Sequence, residues 1–165
     1  MQEKKSIVVA VSGGFDPIHP GHIRYFREAK KLGDQLLVIL NNDNWVMAKK
    51  SYIFMSEKER KEVIEALRDV DRVVITKHIK NTTDMGVSTA LKELKPDVFA
   101  KGGDRNEKDA QNPRSSLYED ILTCKKLGIK IVYNVGRGGK IQSSSELVNK
   151  AAKSAPRKIN VKIKK

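Results

Sequence analysis

The chain has 165 residues, 39% of them hydrophobic and 5% aromatic, which suits one domain with a single core and no disulfide help. No stretch approaches the roughly 20 apolar residues that cross a bilayer. The lone Cys124 excludes an intramolecular disulfide or a cysteine metal site, and the charge of +13, from 33 Lys and Arg against 20 Asp and Glu, fits a nucleic acid or a polyanionic small substrate equally.

Met1–Lys5 leads straight into an apolar run, residues 7–12, that reads as a strand and breaks at Gly13-Gly14, too short for a signal peptide. A cytoplasmic protein is the economical reading. A helical pattern follows from Gly21 to about Leu32, and Gln35–Leu40 is a second strand-like run. Ser56-Glu57-Lys58-Glu59 has the form of a capping box, after which Val63, Ile64, Leu67 and Val70 recur at helical spacing. Arg72–Thr76 predicts a third strand. Thr83–Leu94 predicts a helix that stops before Pro96, because the residue preceding proline disfavours helix. Val98–Ala100 predicts a short fourth strand opening into Lys101-Gly102-Gly103-Asp104, and residues 105–114 read as polar and irregular. Leu117–Leu127 predicts a helix closed by Gly128, with Cys124 on its apolar face beside Leu117 and Ile121 as a buried thiol. Ile129–Tyr133 predicts a fifth strand, and after Gly136-Arg137-Gly138-Gly139 a last helix begins near Ser144 or Ser145. Beyond residue 155, Arg157, Lys158, Lys162, Lys164 and Lys165 carry five positive charges with no acidic residue, the pattern of a solvated tail. The reading is a domain over 1–155 and a basic tail over 156–165.

Strands alternating with helices predict an α/β fold, a Rossmann-like, doubly wound, five-stranded parallel sheet with helices on both faces. Ligands of such sheets bind at the carboxyl ends of the strands. Segments 12–22, 41–50, 101–105 and 136–145 each follow a strand, so they should converge on one rim.

The segment Gly13-Gly14-Phe15-Asp16-Pro17-Ile18-His19-Pro20-Gly21-His22 decides the chemistry. Its glycines allow a tight turn and a close approach to a phosphate, and Pro20 suits the first turn of a helix. His19 and His22 then lie at a helix N-terminus, where free N–H groups and the dipole attract anions. Two imidazoles there can hydrogen-bond phosphate oxygens as charge builds in a transition state. A histidine pair can also hold zinc, but the one other histidine, His78, has no motif around it and is expected at the surface; no protein-ligated metal is expected.

The string resembles the G-x-F-D-x-x-H-x-G-H signature of the cytidylyltransferase-like nucleotidyltransferase superfamily. The resemblance implies that His19 and His22 stabilise the reacting α-phosphate and that Gly13, Gly14, Phe15, Asp16 and Gly21 form a nucleotide-binding loop. Asn41-Asn42-Asp43-Asn44-Trp45 with Lys49-Lys50 looks like the family's acceptor and phosphate region: Lys49 would act in catalysis, and Asn42, Asp43, Trp45 and Lys50 would bind substrate. Solvated lysines and a packing tryptophan remain the alternatives at those positions. Arg60 and Val70-Asp71-Arg72-Val73 resemble an E-x-R…V-D-x-V block in which Arg60 supports the site, and Arg137 is counted with the substrate contacts. Lys101-Gly102-Gly103-Asp104 resembles the K-G-G-D of the heptose 1-phosphate nucleotidyltransferase branch, assigned to the nucleotide, with Asp104 either turning the chain or meeting ribose or Mg²⁺. Ser143, Ser144 and Ser145 sit where relatives carry an I-S-T-T or I-S-S-T segment for the β- and γ-phosphates, with Gln142 in place of the first serine.

Across roughly residues 6–150 the resemblance implies transfer of a nucleotide from ATP or CTP to a small phosphorylated acceptor, with release of pyrophosphate and with Mg²⁺ bridging the phosphates. The Lys101–Asp104 element leans toward sugar phosphates with ATP, beside a glycerol-3-phosphate cytidylyltransferase-like alternative using CTP on a polyol phosphate or phosphonate. Archaeal FAD synthetases share the first signature, although the Lys-Gly-Gly-Asp segment departs from what is expected there. A basic nucleic-acid-binding protein on the same fold is the reading from another class; the positive charge lacks the interleaved aromatic platforms of single-strand binders, and neither nucleic acid nor membrane is expected as a partner. Dimerisation, common among relatives, is implied by the resemblance alone.

Overall fold

The computed structural model describes residues 5–103, 105–136 and 142–154. Five strands, β1 (Val8–Gly13), β2 (Gln35–Leu40), β3 (Arg72–Ile75), β4 (Val98–Gly102) and β5 (Lys130–Val135), pair in parallel in the order β3-β2-β1-β4-β5. The helices are α1 (Pro20–Lys30), α2 (Asp43–Lys50), α3 (Glu57–Glu65), α4 (Ser88–Leu94), α5 (Glu107–Gln111), α6 (Ser116–Leu127) and α7 (Ser144–Ser154). The strand order reverses at β1, which opens a crevice between its carboxyl end and that of β4. No helix among the described residues is long and apolar enough to cross a membrane.

Side chains alternate across the sheet. Val9, Val11, Val38, Leu40 and Ala100 meet Phe26 and Ala29 of α1 and Ile64 of α3. Ala10, Leu37, Ile39 and Phe99 meet Leu91 of α4 and Leu117, Ile121 and Cys124 of α6. Both faces are covered, which is why β2 reads as an unbroken apolar run rather than as an alternation. Cys124 is fully buried, and burial pushes its thiol up to about 12, so it is inert.

The structure departs from the sequence pattern in three places. Residues 43–50 form a helix, started by Asn42, whose side chain accepts from the Trp45 N–H at 3.1 Å. The helix expected from Thr83 begins only at Ser88. The Asp84 N–H is taken by Thr82 Oγ1 (3.1 Å) and the Gly86 N–H by Asp84 Oδ1 (2.9 Å), local bonds that compete with the helical ladder. Within the stretch read as irregular, α5 forms behind a capping box of Asn106 and Asp109.

Aspartates secure the amino ends of the strands: Asp34 accepts from the Ile7 N–H, Asp97 from Val8 and Asp71 from Leu36. At the carboxyl ends a cation does this work. Arg60, 1% exposed, donates from Nη1 to the carbonyls of Gly14 (2.6 Å) and Asn41 (2.7 Å), from Nε to that of Met55 (3.0 Å), and from Nη2 to Asp43 Oδ1 (2.7 Å). It ties the exits of β1 and β2 together. Arg60→Ala leaves these acceptors and a carboxylate without a partner and should lower stability by about 3–5 kcal/mol. Urea unfolding measures this, and Arg60→Lys should recover little of it, because an ammonium cannot reproduce the planar fork.

Candidate active site

A cavity of about 380 Å³ opens where the carboxyl ends of β1, β2 and β4 come together. Its wall is built first by the turn after β1. Phe15 has φ of +48° and its ring folds back onto Gly13, where a Cβ would lie 2.8 Å from Cζ. A Cβ on Gly14 would lie 3.1 Å from the Trp45 ring. The two glycines therefore make room for aromatic rings as well as for a ligand.

His19 is the N-cap of α1, and its Nδ1 accepts from the Gly21 N–H at 3.1 Å. A neutral ring held this way carries its proton on Nε2, ready to donate. Gly21 lacks a side chain because a Cβ there would meet His19 Cε1 at 2.9 Å. The His19 and His22 rings stack with centroids 3.6 Å apart, and the Phe15 ring meets His22 edge-on at 4.9 Å. Burial, then the His19 ring, then Lys50 hold His22 down to about 3; burial and Lys50 lower His19 as well. Without ligand the pair is two neutral imidazoles beside a cation. His22 Nδ1 is buried with no hydrogen-bond partner among the described residues.

The remaining wall comes from several elements. Trp45 is held by Nε1–H donating to Met85 O (3.1 Å), with Lys49 Nζ 5.9 Å from its ring centroid. Lys50 donates to Asp16 O at 2.7 Å. Gly102 and Gly103 line the side of β4, and a Cβ on Gly102 would strike the Tyr25 ring at 2.8 Å. Ser143, Ser144 and Ser145 line the end at α7, where the Ser144 hydroxyl donates to Pro17 O (2.8 Å) and ties that helix to the β1 turn.

Four of the expected contact residues stand behind the wall. Asp16 is wholly buried and accepts from the N–H groups of Phe54 (2.8 Å) and Met55 (2.7 Å), so its carboxylate folds residues 54–55 under the loop. Asn42 caps α2 and donates to His78 O, and Asp43 pairs with Arg60. Arg60 itself clamps the rim. Asp104 and Arg137 lie outside the described residues, as does the basic segment 156–165. His78 is not a free surface residue. Its Nε2 donates to Gly86 O (2.9 Å), and its Nδ1 lies 2.8 Å from the Thr76 hydroxyl, which accepts from the Asn42 N–H.

The cavity also recruits Tyr25, Met85, Arg105, Ser116 and Asp120. Two were legible: Tyr25 follows His22 by one helical turn, and Asp120 is a charge among Leu117, Ile121 and Cys124 on an apolar stripe. Tyr25 is fixed by a 2.6 Å bond to Ala100 O, and burial raises its pKa.

Residues 10–150 match the model of the cytidylyltransferase-like family. The chain belongs to the cytidylyltransferase-like family. Within it, the chain is similar to the FAD synthase of Pyrococcus horikoshii, 41% identical over 138 residues and covering 83% of this chain and 89% of that one. The FAD synthase of Archaeoglobus fulgidus is 37% identical over 120 residues, covering 73% and 82%. Among solved structures, a lipopolysaccharide core biosynthesis protein from Thermoplasma volcanium superposes with a TM-score of 0.61 at 31% identity, covering 81% of this chain and all of that one. Membership of the cytidylyltransferase-like family makes this chain a nucleotidyltransferase.

Between about pH 3 and the ordinary histidine value of 6.5, the unfolded chain binds a proton that folded His22 refuses, so its contribution to stability falls as pH falls. Asp120, raised to about 6 chiefly by burial, acts in the opposite sense and cancels in a comparison of variants. The unfolding free energy of His22→Asn should therefore decline less from pH 7 to pH 5 than that of the parent, as measured by urea titration at each pH.

Proposed function

We propose that the chain transfers AMP from ATP to the phosphate of FMN, forming FAD and pyrophosphate. FAD is FMN joined to AMP through a pyrophosphate linkage, so a synthase of it of this family needs a phosphorylated acceptor. The relatives named FAD synthase support this acceptor over the sugar and polyol phosphates suggested by Lys101–Asp104. The observation that carries the chemistry is the stacked, neutral histidine pair at the start of α1, sharing one cavity with the start of α7 and with Lys49 and Lys50.

An oxygen of the FMN phosphate attacks the α-phosphorus, a new P–O bond forms, and the bond from the α-phosphorus to the bridging oxygen breaks as pyrophosphate leaves. No general base is needed, because the attacking oxygen is already an anion. Gly13 and Gly14 let the backbone approach the nucleotide, Gly102 and Gly103 border its nucleoside, and Lys101 and Asp104 are carried there by the family resemblance. Ser143, Ser144 and Ser145, at a helix N-terminus, receive the β- and γ-phosphates. His19 donates from Nε2–H to an α-phosphate oxygen, where charge accumulates, and His22, stacked against it, supplies the second donor. Lys49 and Lys50 neutralise the phosphates from the α2 side, and Trp45 with Met85 walls the acceptor.

Among the described residues, no group of three or more His, Cys, Asp or Glu is placed to hold a metal. Mg²⁺ would arrive with the triphosphate, where it screens the phosphate charge. The protein groups that meet that charge are Lys49, Lys50 and the histidine donors.

A sugar-phosphate acceptor is the second reading, favoured by the Lys101-Gly102-Gly103 element and by the similarity to the Thermoplasma volcanium structure. Incubation with Mg²⁺, ATP and FMN should yield FAD and pyrophosphate in equal amounts; pyrophosphate with heptose 1-phosphate or glycerol 3-phosphate but not with FMN would sink the flavin reading. His19→Ala and His22→Ala should each lower kcat by on the order of 10²–10³, the scale of a lost transition-state donor. Unchanged turnover would remove the histidines from the chemistry.

A further inference from the structure

One acidic side chain, Asp120, is present among the described residues that line a cavity otherwise furnished with Lys49, Lys50, Lys101 and Arg105. It is 3% exposed, and its carboxylate accepts from the Val87 N–H at 2.7 Å, with the Ser88 N–H also acting on it at the start of α4. A carboxylate in a site for a polyphosphate repels the ligand unless a different part of the ligand lies against it.

Its counterpart is Lys101. Phe99 packs on the α6 side of the sheet and Ala100 on the α1 side, so the two-residue period sends Lys101 to the α6 side. There its ammonium lies 4.9 Å from the Phe99 ring centroid and donates to Ser12 Oγ at 3.1 Å. Lys101 and Asp120 attract each other, yet none of the ion pairs among the described residues joins them. Burial lowers the lysine to about 8 and raises the aspartate to about 6, while each charge favours the charged form of the other.

A phosphate against this pair would be repelled by Asp120, and a hydrocarbon would leave two desolvated charges uncompensated. A hydroxyl suits both, because it donates its O–H to the carboxylate and accepts from the ammonium. In-line transfer places the attacking and leaving oxygens on opposite sides of phosphorus. With the leaving pyrophosphate assigned to the start of α7, the acceptor falls to the wall of Trp45 and Met85, which Asp120 adjoins through its bond to the Val87 N–H. Resting on the acceptor reading above, we infer that Lys101 and Asp120 bind a hydroxyl of the acceptor's uncharged polyol segment, the ribityl chain if the acceptor is FMN. This moves Lys101 from the nucleotide to the acceptor.

The test compares kcat/KM for FMN with that for an analogue whose ribityl hydroxyls are replaced by hydrogen, in the parent, Asp120→Asn and Lys101→Met. The asparagine keeps an oxygen for the Val87 N–H, and the methionine leaves the α4 contacts untouched. The parent should prefer FMN by on the order of 10- to 100-fold, the cost of leaving buried polar groups unpaired. In both variants that preference should collapse toward one, while the preference for ATP over 2′-deoxy-ATP stays at the parent's value. A purely structural Asp120 would lower both acceptors by the same factor and leave their ratio intact, which would overturn the inference; so would a variant that instead changed the ATP to 2′-deoxy-ATP ratio. If the parent ignores FMN but uses a sugar or polyol phosphate, the flavin reading falls alone. The same ratio, taken with that phosphate and its deoxy analogue, then decides the inference.

Discussion

Gly14 and Asn41 leave the sheet from neighbouring strands, and their carbonyls point at a single guanidinium. Arg60 reaches them from α3 and takes Met55 and Asp43 as well. Such a group is stable away from water only because every one of these acceptors is present, and the acceptors are satisfied only because it is present. The β1 turn and the start of α2 are thereby held at fixed separation, and the rings of Phe15 and Trp45 then close over Gly13 and Gly14. The histidines, Lys50 and Trp45 inherit their positions from that clamp.

Aspartates accept from backbone N–H groups at the amino ends of the strands, while at the carboxyl ends Lys49, Lys50 and Lys101 gather around two uncharged imidazoles. The histidines stay neutral because burial and a nearby ammonium both oppose a proton. A triphosphate bound as proposed would bring the opposite influence and raise both. On that reading the site's protonation is coupled to occupancy: donors in the empty protein, with cationic character available to the loaded one.

Much of this was legible in the sequence, for identifiable reasons. β2 and the capping box at Ser56 follow from patterns that no tertiary contact overrides, and the His19–His22 turn is specified by proline and glycine at fixed places. α2 was hidden because eight residues with one buried apolar side chain, Val46, give no periodic signal. The late start of α4 depends on Thr82 and Asp84, whose side chains choose between backbone donors only once the chain is folded. At the site, residue type announced chemistry but not direction. Asp16 and Arg60 carry charge suited to a ligand, yet Asp16 is taken up by backbone N–H groups and Arg60 by three carbonyls and Asp43. Asp120 drew no functional reading among Leu117, Ile121 and Cys124, and it acquires meaning only when α6 packs against the end of β4.

Trp45 is the single tryptophan in the chain and forms part of the cavity wall. All indole emission of the folded protein thus originates at one edge of the site, from a ring whose N–H is anchored on Met85 O and whose face lies near Lys49. An aromatic ligand set against it would quench that light by contact or by energy transfer. The protein carries an intrinsic optical reporter, and its spectrum reads the state of the pocket rather than an average over the fold.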